Sequence, residues 1–211
     1  MLVKICGITR IEDAACAVEC GATALGFVFW PGSPRFIDPA HAGAIVATLP
    51  PFVTPVGVFV NQRSDHVNRA AAAARLGVIQ LHGDEAAAIL DELSCPVLKA
   101  IALDRASDEA IDAWPPRTML LLDTHDPVRR GGTGRIGDWA RASAIASRRP
   151  ILLAGGLTPD NVAEAIARVR PFGVDVSSGV EASPGVKDHR KLRSFLAAVA
   201  QSPSASLQRT P

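Results

Sequence analysis

The feature that most constrains the fold of this chain is an alternation. Short runs rich in leucine and β-branched residues recur between alanine-rich stretches. They are Leu2–Cys6, Ala24–Phe29, Pro55–Val60, Val78–Leu81, Val97–Ile101, Thr118–Asp123, Ile151–Ala154 and Gly173–Val176. Their mean spacing is about 24 residues, the length of one strand–helix unit. The stretches between them carry helix punctuation. Ile11–Cys20 stops at Gly21, and Pro39–Thr48 follows the cap residue Asp38 and stops before Pro50-Pro51. Ser64–Leu76 opens on a second cap candidate, Ser64, and closes at Gly77. Glu85–Leu93, Ser107–Trp114, Asp138–Arg148, Pro159–Val169 and Asp188–Ala200 complete the set. Eight strands and eight helices in strict alternation predict an α/β chain folded as a single-domain (β/α)₈ barrel over 1–201, in preference to an open doubly wound sheet. The Ser/Pro-rich residues 202–211 read as a disordered tail.

Composition narrows the function classes. The chain has 211 residues, 48% apolar and 20% charged, which suits one large globular core. The net charge of +1 gives no pull toward nucleic acid or anionic lipid. No apolar stretch approaches the ~18 residues of a membrane span, and Lys4, Arg10, Glu12 and Asp13 interrupt the start as no secretory signal does. Four cysteines, Cys6, Cys16, Cys20 and Cys95, make no disulfide framework, and Cys16 and Cys20 lack the further ligands that structural zinc requires. A reducing cytoplasm is the expected setting.

In a parallel barrel the chemistry sits where the strands end. Strand one ends in Cys6-Gly7, and Cys6 is either a catalytic group at the rim or a small buried hydrophobe. Strand six, otherwise apolar, ends in Asp123, either a general acid/base or a satisfied structural carboxylate. The loop after strand two carries Trp30 and a lone arginine, Arg35, able to hold a carboxylate bidentately or to form a surface ion pair. His82 follows strand four and either touches substrate or bonds the backbone. Gly155-Gly156 and Ser177-Ser178-Gly179 follow strands seven and eight, the usual phosphate position of this architecture, where glycine lets backbone N–H groups approach an anion. Gly131–Gly134 lacks the lysine of a P-loop and reads as a mobile loop beside the site.

Strand parity adds a prediction. If Cys6 faces the barrel axis, Lys4 does too, and a buried lysine needs a partner. Asp175 on strand eight adjoins strand one once the barrel closes, so a Lys4–Asp175 ion pair is expected, with its positive charge favouring the Cys6 thiolate.

The chain also resembles the phosphoribosylanthranilate isomerase family of tryptophan biosynthesis. The resemblance runs through Lys4-Ile5-Cys6-Gly7-Ile8-Thr9, Ser33-Pro34-Arg35, Gly57-Val58-Phe59-Val60-Asn61, Gln80-Leu81-His82-Gly83, Leu122-Asp123 and Gly131-Gly132-Thr133-Gly134. It continues through Leu153-Ala154-Gly155-Gly156-Leu157, the run from Gly173 to Glu181, and Pro184-Gly185-Val186-Lys187-Asp188. It covers essentially all but the tail. Arg135-Ile136-Gly137-Asp138-Trp139 departs from it, since the family usually has phenylalanine before the acidic residue and tryptophan.

The resemblance implies a (β/α)₈ enzyme that converts N-(5-phosphoribosyl)anthranilate to 1-(2-carboxyphenylamino)-1-deoxyribulose 5-phosphate by an Amadori rearrangement. It implies Asp123 as the general acid and Cys6 as the base. Arg35 would hold the anthranilate carboxylate. His82, Asp175, Gly155, Gly156, Ser178 and Gly179 are expected to bind the rest of the substrate. Asp123 must hold a proton at neutral pH, which burial or a dianionic substrate would favour. No cofactor or metal is expected, because the iminium intermediate is itself the electron sink. The expected partner is a small phosphorylated aminosugar, with no nucleic acid and no membrane, and with the protein a monomer or homodimer. Two other readings stand beside this one: a dual-substrate isomerase that also serves the histidine pathway, and a non-catalytic barrel that binds a sugar phosphate.

Overall fold

A computed structural model describes residues 1–123 and 138–202, so Gly131–Gly134 and all of the expected tail beyond Ser202 lie outside the described residues. Eight parallel strands close into a barrel in chain order. They are β1 (Leu2–Cys6), β2 (Ala24–Val28), β3 (Thr54–Phe59), β4 (Val78–Leu81), β5 (Val97–Ala102), β6 (Met119–Asp123), β7 (Ile151–Ala154) and β8 (Gly173–Val176). The strand runs of the sequence match these to within a residue at either end. Helices α1 (Ile11–Glu19), α2 (Pro39–Val46), α3 (Ser64–Ala73), α4 (Asp108–Asp112), α5 (Trp139–Ala146), α6 (Val162–Val169) and α7 (His189–Gln201) surround the barrel. None of the described helices is long and apolar enough to cross a membrane.

Local chemistry explains where the helices start. Asp38 caps α2 as expected, accepting from the backbone N–H groups of Ala40 and His41, with Pro39 in the first turn. Ser64 does not cap α3. Arg63 holds the cap position without a side-chain bond, and the Ser64 hydroxyl donates to Glu92 instead. Helix α6 begins at Val162 rather than Pro159, because the Asn161 side chain bridges the Thr158 N–H and the Gly156 carbonyl and holds 156–161 as turns.

Two segments differ more from the sequence expectation. Between β4 and β5 the expected helix is only a 3₁₀ segment, Ala87–Glu92, with no buried residue. Glu85 supplies the reason. Its carboxylate accepts from the N–H groups of Asn61 and Gly83 and pairs with buried Lys99 at 2.8 Å, tying the chain to the barrel rim where a helix would start. After β8 the chain makes a 3₁₀ turn (Ser178–Val180) and an antiparallel hairpin, β9 (Glu181–Ser183) with β10 (Val186–Lys187), which the strand pattern did not reveal.

Strand parity sorts the side chains into two layers. Val3, Ile5, Leu25, Phe27, Leu120, Leu122 and Val174 face outward and join the helices in the main core. The barrel interior holds Leu98, Ala100, Leu121, Leu152 and Ala154 in one cluster and Cys6, Val28 and Val58 in another. Since Leu121 faces inward, so does Asp123 two residues on.

The entry to β6 is held from below. The Arg149 guanidinium donates to the carbonyls of Ile111, Trp114, Pro115 and Thr118, at 3.4, 3.2, 3.0 and 2.5 Å. A planar fork with five N–H donors serves four carbonyls at once, more than the three donors of a lysine ammonium allow. Arg149→Met is expected to lower the unfolding free energy by about 2–3 kcal/mol, the scale of lost charge-assisted hydrogen bonds. Urea unfolding checks this; a loss below about 0.5 kcal/mol would show that the fork holds nothing.

Candidate active site

A cavity of about 390 Å³ opens where the strands end, and all nine residues expected to act on or bind the substrate line it. Cys6 and Asp123 are the last residues of β1 and β6, and Asp175 lies within β8. Arg35 comes from the loop after β2, His82 from the turn after β4, Gly155 and Gly156 from the turn after β7, and Ser178 and Gly179 from the 3₁₀ turn after β8. Trp30 also lines the cavity and is 42% exposed.

The floor is a buried ion pair. Lys4 Nζ donates to Asp175 Oδ1 at 2.7 Å, and the two residues are register partners across the β1–β8 seam, as parity predicts. Burial opposes the Lys4 charge, but Asp175 and the Cys6 thiol beside it outweigh this, leaving its pKa above the ordinary lysine value. Gly26, the register partner of Cys6, makes room for this contact. A Cβ there would lie 2.9 Å from Cys6 Sγ and 3.1 Å from Lys4 Nζ.

The expected effect on Cys6 needs correcting. Burial pushes the thiol above its ordinary pKa. Lys4 and Lys187 pull it down and Asp175 pushes it up, and desolvation outweighs the two cations. In the free protein the thiol form is therefore favoured, and Lys4 limits the rise rather than reversing it.

His82 meets a side chain that sequence reading passed over. Gln80, fully buried on β4, places its amide nitrogen 2.9 Å from His82 Nδ1. An amide nitrogen only donates, so Nδ1 accepts and the neutral ring carries its proton on Nε2. Burial, partly offset by the Asp123 charge, lowers the His82 pKa and keeps the ring neutral. Gln80 Oε1 and Ser177 Oγ, both in the cavity lining, are buried without a hydrogen-bond partner among the described residues.

The two glycine loops pack closely. Gly155 and Gly156 both take positive φ, 87° and 65°, a region that glycine alone enters freely. At Gly179 a Cβ would lie 1.9 Å from the Leu157 carbonyl oxygen, so only glycine lets the β8 turn sit against the β7 turn.

Arg35 is neither a free clamp nor a surface ion pair. Its Nε lies 2.9 Å from Glu181 Oε1 and its Nη2 2.6 Å from Glu181 Oε2, and Glu181 is buried on β9. Those hydrogen bonds raise the Arg35 pKa further above its ordinary value. Buried Lys187 on β10 joins them, donating to Glu181 Oε1 at 2.9 Å and to the Cys6 carbonyl at 2.6 Å. Sequence reasoning gave Glu181 and Lys187 no role. The signal available was a pair of charged residues, each preceded by a valine, flanking the Pro184-Gly185 turn.

These charges predict a pH dependence. Alkylation of Cys6, followed by peptide mass spectrometry to separate it from Cys16, Cys20 and Cys95, should show a midpoint above the ordinary thiol value of about 8.5. Lys4→Met removes a cation that lowers the thiol pKa, so the midpoint should move further up. A midpoint unchanged or lower in that variant would contradict the role given to Lys4.

Known proteins place this geometry. A family model described as N-(5'phosphoribosyl)anthranilate (PRA) isomerase matches residues 3–198. An N-(5'-phosphoribosyl)anthranilate isomerase of Pseudomonas fluorescens (strain Pf0-1) is 52% identical over 199 residues, covering 93% of this chain and 97% of its own. The crystal structure of phosphoribosyl anthranilate isomerase from Thermotoga maritima superposes with a TM-score of 0.88 at 43% identity, covering 95% of this chain and 98% of that one. A further structure of such an isomerase, in complex with reduced 1-(o-carboxyphenylamino)-1-deoxyribulose 5-phosphate, has a TM-score of 0.84 at 41% identity with the same coverage. The chain belongs to the N-(5'-phosphoribosyl)anthranilate isomerase family.

Proposed function

We propose that the protein isomerises N-(5'-phosphoribosyl)anthranilate to 1-(2-carboxyphenylamino)-1-deoxyribulose 5-phosphate, a step of tryptophan biosynthesis, with Asp123 as acid and Cys6 as base. The observation that carries this reading is the meeting in one cavity of an inward carboxylate on β6, an inward thiol on β1 and a glycine-lined pair of turns after β7 and β8. Membership of the isomerase family supports it.

The reaction asks for two proton transfers. Asp123 gives a proton to the furanose ring oxygen, the C1–O bond breaks, and the nitrogen lone pair forms the C1 iminium. The Cys6 thiolate then takes the C2 proton. The C–H electrons form the C1–C2 double bond, and the iminium electrons return to nitrogen. The enolamine gains a proton at C1 and loses its hydroxyl proton, which leaves the C2 ketone. No atom is gained or lost overall.

Burial of Cys6 acts in two directions here. It lowers the fraction of thiolate, and it makes the thiolate that forms a stronger base toward carbon. Lys4 and Lys187 keep that fraction from vanishing. The phosphate is assigned to the N–H groups of Gly155, Gly156, Ser178 and Gly179, where the positive φ of both turn glycines and the closeness of the two loops support a backbone nest. The Nε2–H of neutral His82 is offered to the sugar hydroxyls, and Asp175 closes the floor. The carboxylate is assigned to Arg35, whose guanidinium lines the same cavity.

Cys6→Ala and Asp123→Asn should each lower kcat by roughly 10²–10⁴-fold with native-like unfolding, the usual contribution of a general acid or base. Anthranilate fluorescence during turnover measures this, and retention of most of kcat would remove that residue from the chemistry. The same assay separates an isomerase from a barrel that only binds a sugar phosphate. Arg35→Ala should act mainly on KM; a large fall in kcat at unchanged KM would refute a pure binding role.

A further inference from the structure

The Arg35 guanidinium has two edges able to hold a carboxylate, the side edge of Nε with Nη2 and the end edge of Nη1 with Nη2. Glu181 occupies the side edge, with Nε at 2.9 and 3.2 Å and Nη2 at 2.6 Å from its oxygens. The end edge keeps Nη1 and the second N–H of Nη2, for which no described residue is an acceptor, and Arg35 lines the cavity.

Both partners are held from outside. Glu181 Oε1 also accepts from Lys187 Nζ at 2.9 Å and from the Gly185 N–H at 3.3 Å, and its side chain is 5% exposed. Lys187 Nζ continues to the Cys6 carbonyl at 2.6 Å. The stem of Arg35 lies over Gly7, where a Cβ would sit 2.7 Å from Arg35 Cδ. The guanidinium therefore has little freedom to swing. Two cations against one carboxylate also leave the Arg35–Glu181–Lys187 cluster with a net charge of +1, so pairing with Glu181 does not cancel its attraction for an anion.

We propose that Glu181, anchored by Lys187, is a positioning and specificity-determining residue that turns the end edge of Arg35 toward the cavity and so restricts the site to an aromatic amine bearing its carboxylate ortho to the nitrogen. The proposal rests on the reading of Arg35 as the carboxylate clamp. It predicts a geometric preference and not only an electrostatic one. Removing the Glu181 charge would strengthen the pull of Arg35 on any nearby carboxylate, ortho or meta alike. Removing its aim lowers the ratio between them.

The test uses three unreactive probes, reduced 1-(o-carboxyphenylamino)-1-deoxyribulose 5-phosphate, its meta-carboxyl isomer and the phenylamino compound without a carboxyl group. Their dissociation constants are measured by titration calorimetry. The wild type should prefer the ortho probe over the carboxyl-free one by roughly 10- to 100-fold, the scale of charge-assisted hydrogen bonds. Arg35→Met should abolish that preference; if it persists, the clamp reading itself fails, whatever Glu181 does. Glu181→Gln should bring the ortho-to-meta affinity ratio down at least about fivefold toward one while leaving the carboxyl-free probe within about twofold, the size of an indirect effect. An unchanged ratio in Glu181→Gln, with the preference lost in Arg35→Met, overturns the proposal and leaves the clamp. A wild type that binds ortho and meta probes alike overturns it as well. Should Glu181→Gln fail to fold, Glu181→Asp, which keeps the charge but withdraws the carboxylate by one methylene, carries the same test with the same outcomes.

Discussion

The site depends on the ion pair that closes the barrel. Lys4 is completely buried, and a buried ammonium is tolerated only when its partner is held in good geometry. Asp175 provides this from the neighbouring strand at 2.7 Å. The pair thus fixes more than its own energy. A one-residue slip of β1 against β8 would turn Lys4 into the apolar layer where Val3 and Ile5 meet the helices, and Cys6 with it. With Lys4 pinned, period two places Cys6 one step nearer the mouth, facing the cavity. The charge that fixes the register is also the charge beneath the thiol.

The proposed acid and base sit in different environments. Cys6 lies on β1 and Asp123 on β6, three strands apart around the closed sheet. Cys6 packs with Val28 and Val58, with two ammonium groups near it. Asp123 is half-buried at the rim, its backbone fixed by register with Ala102 and Ala154. The third cluster, Arg35–Glu181–Lys187, touches Cys6 through its backbone, since Lys187 donates to the Cys6 carbonyl. Placement of Arg35 and of the end of β1 is thereby mechanically shared.

How much of this was legible follows from which forces act locally. The strands were legible because each is a short apolar run that ends where polar residues begin. The Lys4–Asp175 pair was legible because parity and barrel closure leave a buried lysine few partners. The Asp38 cap was legible and the Ser64 cap was not, since Ser64 found a carboxylate on the neighbouring segment instead. The 3₁₀ segment after β4 escaped because Glu85 prefers Lys99 to a place in a helix, a choice made across 14 residues of chain. The direction of the Cys6 shift escaped for a different reason. Sequence shows that a cation is near, but the opposing desolvation depends on how tightly Val28, Val58 and Gly26 enclose the thiol, and that exists only once the barrel has formed.

The short hairpin after β8 shows where recognition is built in such a fold. Strand ends can deliver an acid and a base, because each strand contributes an inward side chain at a fixed height. They cannot easily aim a long flexible arginine, whose rotamer freedom costs about 2 kcal/mol to restrain. That task needs a rigid acceptor beside the arginine. β9 supplies it in Glu181, and β10 supplies the buried lysine that holds Glu181 in turn. Two strands of three and two residues, with no share in closing the barrel, hold Arg35 at the cavity wall. The division is physical rather than historical: the closed sheet fixes Cys6 and Asp123, and the added hairpin fixes Arg35, the group proposed to select what they act on.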